Sequence, residues 1–367
     1  MTDFRAWLAH SPSLIIGVSH VQKILSFSLV LSLLLLFSVL SCTERKTEIT
    51  SVDENSLPIA AVLGERLPDY NTLYFSSGIG YEFKNPHSNK LIITLDGGPG
   101  FLDTRIDLPG DVLRGYEPYD YFLHLYDDYS IFVPEKFDWG RNREPRPLYD
   151  EKARERYTVD NLIINYAEVI GEYLTQNDYE TVIIAGWSEG GSIAPELYFR
   201  LGDFNVSGLI IIGSGGIPLY ENYQILHEKI VKGEAPFNSE NSDIGMSMEF
   251  YEYIIRTYRI EYLFNFLGNE LNDSPDIWGI TTNRWWNSML FRKPVEFYKE
   301  INIPVLFLHG ELDTTVSVES SRYVEENLPD KPFTYRYYPE MWHWPRTYGE
   351  FMAMRRDISA WLEAEGL

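Results

Sequence analysis

A chain of 367 residues with a formal net charge of −23 is too long for one minimal domain and suits a large domain with an insertion. Its acidic balance repels phosphate backbones, which argues against nucleic acid as a partner. The single cysteine, Cys42, excludes an internal disulfide and a cysteine-based zinc site.

The first element in chain order is an apolar run from Ile24 to Leu40, broken only by serines and preceded by Lys23. It ends in Val39-Leu40-Ser41-Cys42, and the charged stretch Thr43-Glu44-Arg45-Lys46 follows. A basic residue, an apolar run and small residues at its end are the parts of a secretory signal. With the cysteine where it stands, the segment resembles a bacterial lipobox, although Leu40 is an unusual residue at its position. The resemblance implies a signal segment at 1–41 and lipidation of Cys42. It implies a body held on a membrane of the cell envelope, outside the cytoplasm. The run is short for an uncleaved spanning helix, which needs about 20 residues. Residues 1–20 fit neither reading and suit a start near Val21. Residues 42–66 are polar and weakly patterned, and read as a tether.

Residues 73–75 and 80–83 read as short strands around Gly78. Residues 91–95 form a compact apolar strand running into Asp96-Gly97-Gly98-Pro99-Gly100, a tight loop. Another strand at 130–133 is closed by Pro134. Thr158 or Asp160 can cap a helix whose apolar residues recur at Leu162, Tyr166, Val169, Ile170, Tyr173 and Leu174. A strand at 181–185 leads into Gly186-Trp187-Ser188-Glu189-Gly190-Gly191, and helix continues from 193 to 200. Further strands are expected at 209–212, 303–308 and 333–338, with an amphipathic helix at 349–363 closing the chain. Strands alternating with helices predict an α/β fold with a mostly parallel sheet covered on both faces. Residues 217–298 break the rhythm. They are helix-like and aromatic-rich, with Tyr251, Trp278, Trp285 and Trp286 among others, and read as a helical cap over the strand ends. The core is then two parts, 67–216 and 299–367.

Gly186-Trp187-Ser188-Glu189-Gly190 is a G-x-S-x-G sequence between a strand and a helix. Its glycines let the turn tighten and present the Ser188 hydroxyl as a nucleophile. A serine nucleophile needs a base, and the base an orienting acid, which follow in the order serine, acid, histidine. Asp313 stands just past the end of the 303–308 strand, with Glu311 as the second choice. His343 follows the last strand. His87 and His124 precede the nucleophile, His227 lies in the cap, and His309 is the rival, read as a packed strand-end residue. Stabilising the tetrahedral oxyanion needs two N–H groups: that of Glu189, and one from the loop after the 91–95 strand. Pro99 cannot donate, which leaves Gly98, or else Gly97. Trp187, Trp285 and Trp286 are substrate-binding candidates. Nothing in the sequence calls for a metal or a cofactor.

These segments carry a family resemblance. The chain resembles the prolyl iminopeptidase and tripeptidyl aminopeptidase family, whose members have the α/β-hydrolase fold, a His-Gly-Gly-Pro-Gly loop, a G-x-S-x-G elbow, a G-x-x-D acid loop and a late histidine. Here these are Asp96–Gly100, Gly186–Gly191, Gly310–Asp313 and His343. Asp96 replaces the loop histidine, and an Asp-x-Arg-Gly segment of the family is reduced to residues 137–142. The resemblance implies an aminopeptidase acting on peptide N-termini, with cap carboxylates such as Glu249, Glu252 or Glu261 for the substrate amine. No motif matches those three residue by residue. Spacing alone implies only acyl transfer to water, which serves apolar esters equally. A non-catalytic binding lipoprotein on the same fold is opposed by the intact serine, aspartate and histidine.

Overall fold

The computed structural model describes residues 70–98, 118–136, 158–234, 252 and 283–367. Cys42, Glu249, Glu261 and the 137–142 segment lie outside these. Among the described residues, eight strands make one sheet: β1 Asn71–Tyr74, β2 Ile79–Phe83, β3 Lys90–Leu95, β4 Ser130–Pro134, β5 Thr181–Trp187, β6 Val206–Ile212, β7 Val305–Gly310 and β8 Phe333–Tyr338. Their order across the sheet is β1-β2-β4-β3-β5-β6-β7-β8. Of the pairings between described strands, β1–β2 and β2–β4 are antiparallel. From β4 through β8 every pairing is parallel.

Both faces of this sheet are covered, which is why its strands are apolar without alternating. In β3, Leu91, Ile93 and Leu95 enter one core cluster and Ile92 the other. Val305 and Phe307 of β7 likewise oppose Leu306 and Leu308. The first face is covered by α1 (Val159–Gln176) and α2 (Glu189–Arg200). The stripe Leu162, Tyr166, Val169, Ile170 and Tyr173 of α1 is buried there, as the helical spacing predicts. Thr158 caps α1, its hydroxyl accepting from the Asn161 N–H at 3.2 Å. The closing helix, α7 (Tyr348–Glu365), covers the second face through Phe351, Met354, Ile358 and Trp361. A capping box between Thr347 and Glu350 starts it and left-handed Gly366 ends it, two devices that satisfy its terminal backbone groups.

Further helices among the described residues are α3 (Leu219–Lys232), α4 (Asn283–Leu290), α5 (Pro294–Tyr298) and α6 (Glu319–Asn327). The first three belong to the expected cap. Their described side chains do not stand off from the core. Tyr220, Tyr223, Leu226, Trp285, Trp286, Met289 and Tyr298 join the first core cluster. Helix α6 has no counterpart in the sequence reading. Only Ser320, Ser321 and Val324 are buried on it, so it has no apolar stripe to read. Among the described residues, no helix is long and apolar enough to cross a membrane.

Candidate active site

Parallel strands deliver their carboxyl ends to one edge of the sheet, and loops leaving that edge converge. The register sets which loops meet. Leu95 pairs with Gly186, and Trp187 with Ile212. The chain therefore leaves β3 at Asp96-Gly97-Gly98 beside the β5 exit at Ser188, which lies beside Gly213. On the far side of β6, Ile212 pairs with Leu308, and Gly310 of β7 pairs with Tyr338 of β8.

Ser188 has φ 53° and ψ −112°, and it is the only described non-glycine residue with positive φ. Left-handed backbone at a serine is strained and persists only where the surroundings enforce it. Here the Ser188 N–H donates to the Ile212 carbonyl at 2.8 Å, and α2 begins at the next residue. The turn is tight enough that a Cβ on Gly186 would overlap the Gly190 carbonyl. A Cβ on Gly97 would lie 2.9 Å from the Ser188 Cβ, so the β3 loop presses directly on the elbow.

Asp313 and His343 meet. The Asp313 Oδ2 accepts from His343 Nδ1 at 2.7 Å. Its Oδ1 accepts from the backbone N–H groups of Thr315 and Val316 at 2.7 and 2.8 Å. Burial pushes the carboxyl up, but His343 and His309, by charge and by hydrogen bond, outweigh it and hold Asp313 well below the usual range. An ionised carboxylate at Nδ1 fixes the proton there. The Nε2 of His343 then carries the lone pair. It is buried and, among the described residues, has no hydrogen-bond partner. Glu311, the alternative acid, instead pairs with Arg322 at 2.7 Å near the surface.

His309, read as a packed strand-end residue, is fully buried and also touches the acid. Its Nε2 lies 3.1 Å from Asp313 Oδ2 and 2.8 Å from the Val316 carbonyl, and its Nδ1 2.7 Å from Ser321 Oγ. Both neighbours of Nε2 are acceptors, so that nitrogen carries a proton. His309 thus ties the acid loop to α6. The signal available was its place four residues before Asp313 at a strand end.

Trp187 is half-buried beside His343, with ring centroids 5.2 Å apart, and its indole N–H donates to the His343 carbonyl at 3.3 Å. The other substrate-binding candidates fare differently. Trp286 is buried against Trp285 and near Tyr223. Trp285 is buried as well, and its indole N–H donates inward to Glu189 Oε1 at 2.6 Å. Both tryptophans pack into the core, because their aromatic area gains more from the sheet face than from solvent. Glu252 is exposed.

In the loop after β3, the candidate for the oxyanion donors, the Gly97 N–H donates to Asp96 Oδ1 at 2.7 Å. Gly98, with φ 59°, is the other candidate donor. Beneath the loop lies Lys136, two residues past the Pro134 that closes β4, a residue that no sequence signal singles out. Its Nζ is 2.6 Å from Glu189 Oε2. Burial pushes the Asp96 carboxyl up to about 6, against the pull of Lys136 and the Gly97 N–H, while Glu189 adds to the rise.

The sign of the Asp96 effect follows from that shift. Between about pH 4 and 6 the folded protein holds a proton that the unfolded chain has lost, so stability falls as pH rises through this window. The loss is complete above it and is of the order of 3 kcal/mol for about two pKa units. Asp96→Asn keeps an acceptor for the Gly97 N–H and cannot ionise. Urea unfolding at pH 4 and pH 7 is expected to show the variant gaining about that much on the wild type between the two. A constant gap would contradict the assignment.

No protein-family model matches the chain, and no curated protein matches it in sequence. Among solved structures it is similar to the acylaminoacyl peptidase of Pyrococcus horikoshii, with TM-score 0.50 and 15% identity over 82% of this chain. The match spans 41% of that enzyme's length. It is also similar to Est1E from Butyrivibrio proteoclasticus, with TM-score 0.48 and 15% identity, covering 80% of this chain and 99% of that one. At such identities the first likeness shows the fold. Together with the sheet order, it establishes that this chain has the α/β-hydrolase fold.

Proposed function

We propose that this chain is a serine hydrolase that cleaves an acyl bond through a covalent acyl-enzyme. The observation that carries the reading is the His343 imidazole, its Nδ1 proton held by Asp313 at 2.7 Å and its Nε2 buried without a partner among the described residues, on the same sheet edge as a strained serine. His343 takes the Ser188 proton as the hydroxyl attacks the carbonyl, and the imidazolium that forms is stabilised by Asp313. The oxyanion lies on the N–H groups of Glu189 and Gly98. His343 then protonates the leaving group, and water releases the acyl group by the same steps in reverse order.

The substrate we propose is a peptide N-terminus. Support comes from the Gly-Gly-Pro-Gly loop, the elbow and the Gly-x-x-Asp loop taken together. The apolar stretch ending in Cys42 supports a body anchored at the cell envelope through a lipidated N-terminus.

A fluorophosphonate probe applied to fractionated cells is expected to label one serine, Ser188 by peptide mass spectrometry, in the membrane fraction. No labelling would overturn the hydrolase reading, and labelling confined to the soluble fraction would overturn the anchor. Aminoacyl-naphthylamides and p-nitrophenyl esters then decide the substrate. Turnover of esters with none of any amide would end the peptidase reading and leave an esterase of apolar acids.

A further inference from the structure

The Lys136 ammonium has three N–H donors, and the structure gives it three acceptors. They are the carbonyl of Gly97 at 3.1 Å, the carbonyl of Gly98, and Glu189 Oε2 at 2.6 Å. Its side chain is 1% exposed. Glu189 is held at both oxygens, since Oε1 accepts from the indole N–H of Trp285 at 2.6 Å. A buried charge is tolerated only when paired and fully hydrogen-bonded, and this one is.

The position of these bonds matters more than their number. The Gly97 carbonyl and the Gly98 N–H belong to one peptide unit, and no described peptide bond is cis. In a trans unit the two groups point in opposite directions. Holding the carbonyl on Lys136 therefore turns the Gly98 N–H away from the buried lysine. Between two glycines no side chain opposes a flip of that unit, and a flipped unit would present a carbonyl oxygen where a donor is needed. The same ammonium grips the side chain of Glu189, the residue that supplies the other proposed donor.

We propose that Lys136 is a positioning residue for the oxyanion hole, locking the Gly97–Gly98 peptide against reversal and joining it to Glu189, with Trp285 of α4 completing the lock. This inference rests on the serine-hydrolase reading.

The test is the double variant Lys136→Met/Glu189→Gln, which removes the lysine without leaving a buried carboxylate unpaired. It is assayed with whichever naphthylamide or nitrophenyl ester the wild type turns over. Loss of an oxyanion donor costs about 10²–10³ in kcat. A fall of at least 10² is expected, with KM changed less than about threefold. The affinity of a trifluoromethyl ketone, whose adduct carries the oxyanion, is expected to fall by the same factor. A merely structural role would lower the active fraction, counted by fluorophosphonate titration, and leave turnover per labelled site unchanged. That outcome, or unchanged ketone affinity, would overturn the proposal. If the double variant does not fold, Lys136→Gln is judged by the same criterion. A wild type that the probe does not label would instead overturn the hydrolase reading itself.

Discussion

Asp313→Asn is expected to lower kcat by about 10⁴, as loss of the orienting carboxylate does in triads generally, while the protein stays folded. The geometry dictates how. The Asp313 Oδ1 accepts two backbone N–H groups, from Thr315 and Val316, so an asparagine must place its carbonyl oxygen there. Its NH₂ group then takes the place of Oδ2, facing His343 Nδ1 and His309 Nε2. A donor opposite Nδ1 forces the His343 proton onto Nε2, the nitrogen that must be free to accept from Ser188. The variant therefore carries the imidazole in the wrong tautomer. His309 makes matters worse, because its Nε2 also faces the Val316 carbonyl and its proton would oppose the new NH₂. The measurement is kcat per fluorophosphonate-titrated site, beside Glu311→Gln as the comparison. Glu311 is engaged by Arg322, so that variant should keep turnover within about threefold. Comparable losses in the two variants would remove Asp313 from the role.

Much of this was legible in the sequence because the signals are local. Apolar runs such as 91–95 and 303–308 mark strands buried on both faces, and a strand–glycine–serine–glycine–helix sequence marks a sharp turn. Asp313 could be preferred to Glu311 from its place past a strand end, and the structure brings Asp313 to His343. What could not be read is what depends on contacts far apart in the chain. Lys136 and Glu189 are 53 residues apart, and nothing in Val133-Pro134-Glu135-Lys136 distinguishes a lysine turned inward from one in solvent. The indole of Trp285 has the same history. Aromatic residues in an insertion suggest a pocket lining, yet this one is spent on a carboxylate inside the core. Helix α6 was invisible for a different reason, since its buried face is mostly serine.

Gly310→Ala is expected to damage stability and chemistry together, and by the same contact. Gly310 is the last residue of β7, in register with Tyr338. Just beyond it the Glu311 N–H donates to the Tyr338 carbonyl at 2.9 Å and the Leu312 N–H to the Met341 carbonyl at 3.0 Å. The acid loop and the histidine loop are thus zipped together backbone to backbone. A Cβ on Gly310 would overlap the carbonyl oxygens of Met341 and Trp342, which immediately precede His343. Neither is the movable tip of a side chain, so relief requires the two loops to part. Overpacking of this kind costs about 1–3 kcal/mol or more, readable as a lower urea midpoint. Parting the loops also stretches the Asp313–His343 bond from 2.7 Å, and displacement of about 1 Å can cost 10² in rate. Turnover per titrated site is therefore expected to fall at least that far in the protein that remains folded. If stability falls and turnover per site does not, the glycine serves only the packing of the loops, and the distance between acid and base is set elsewhere.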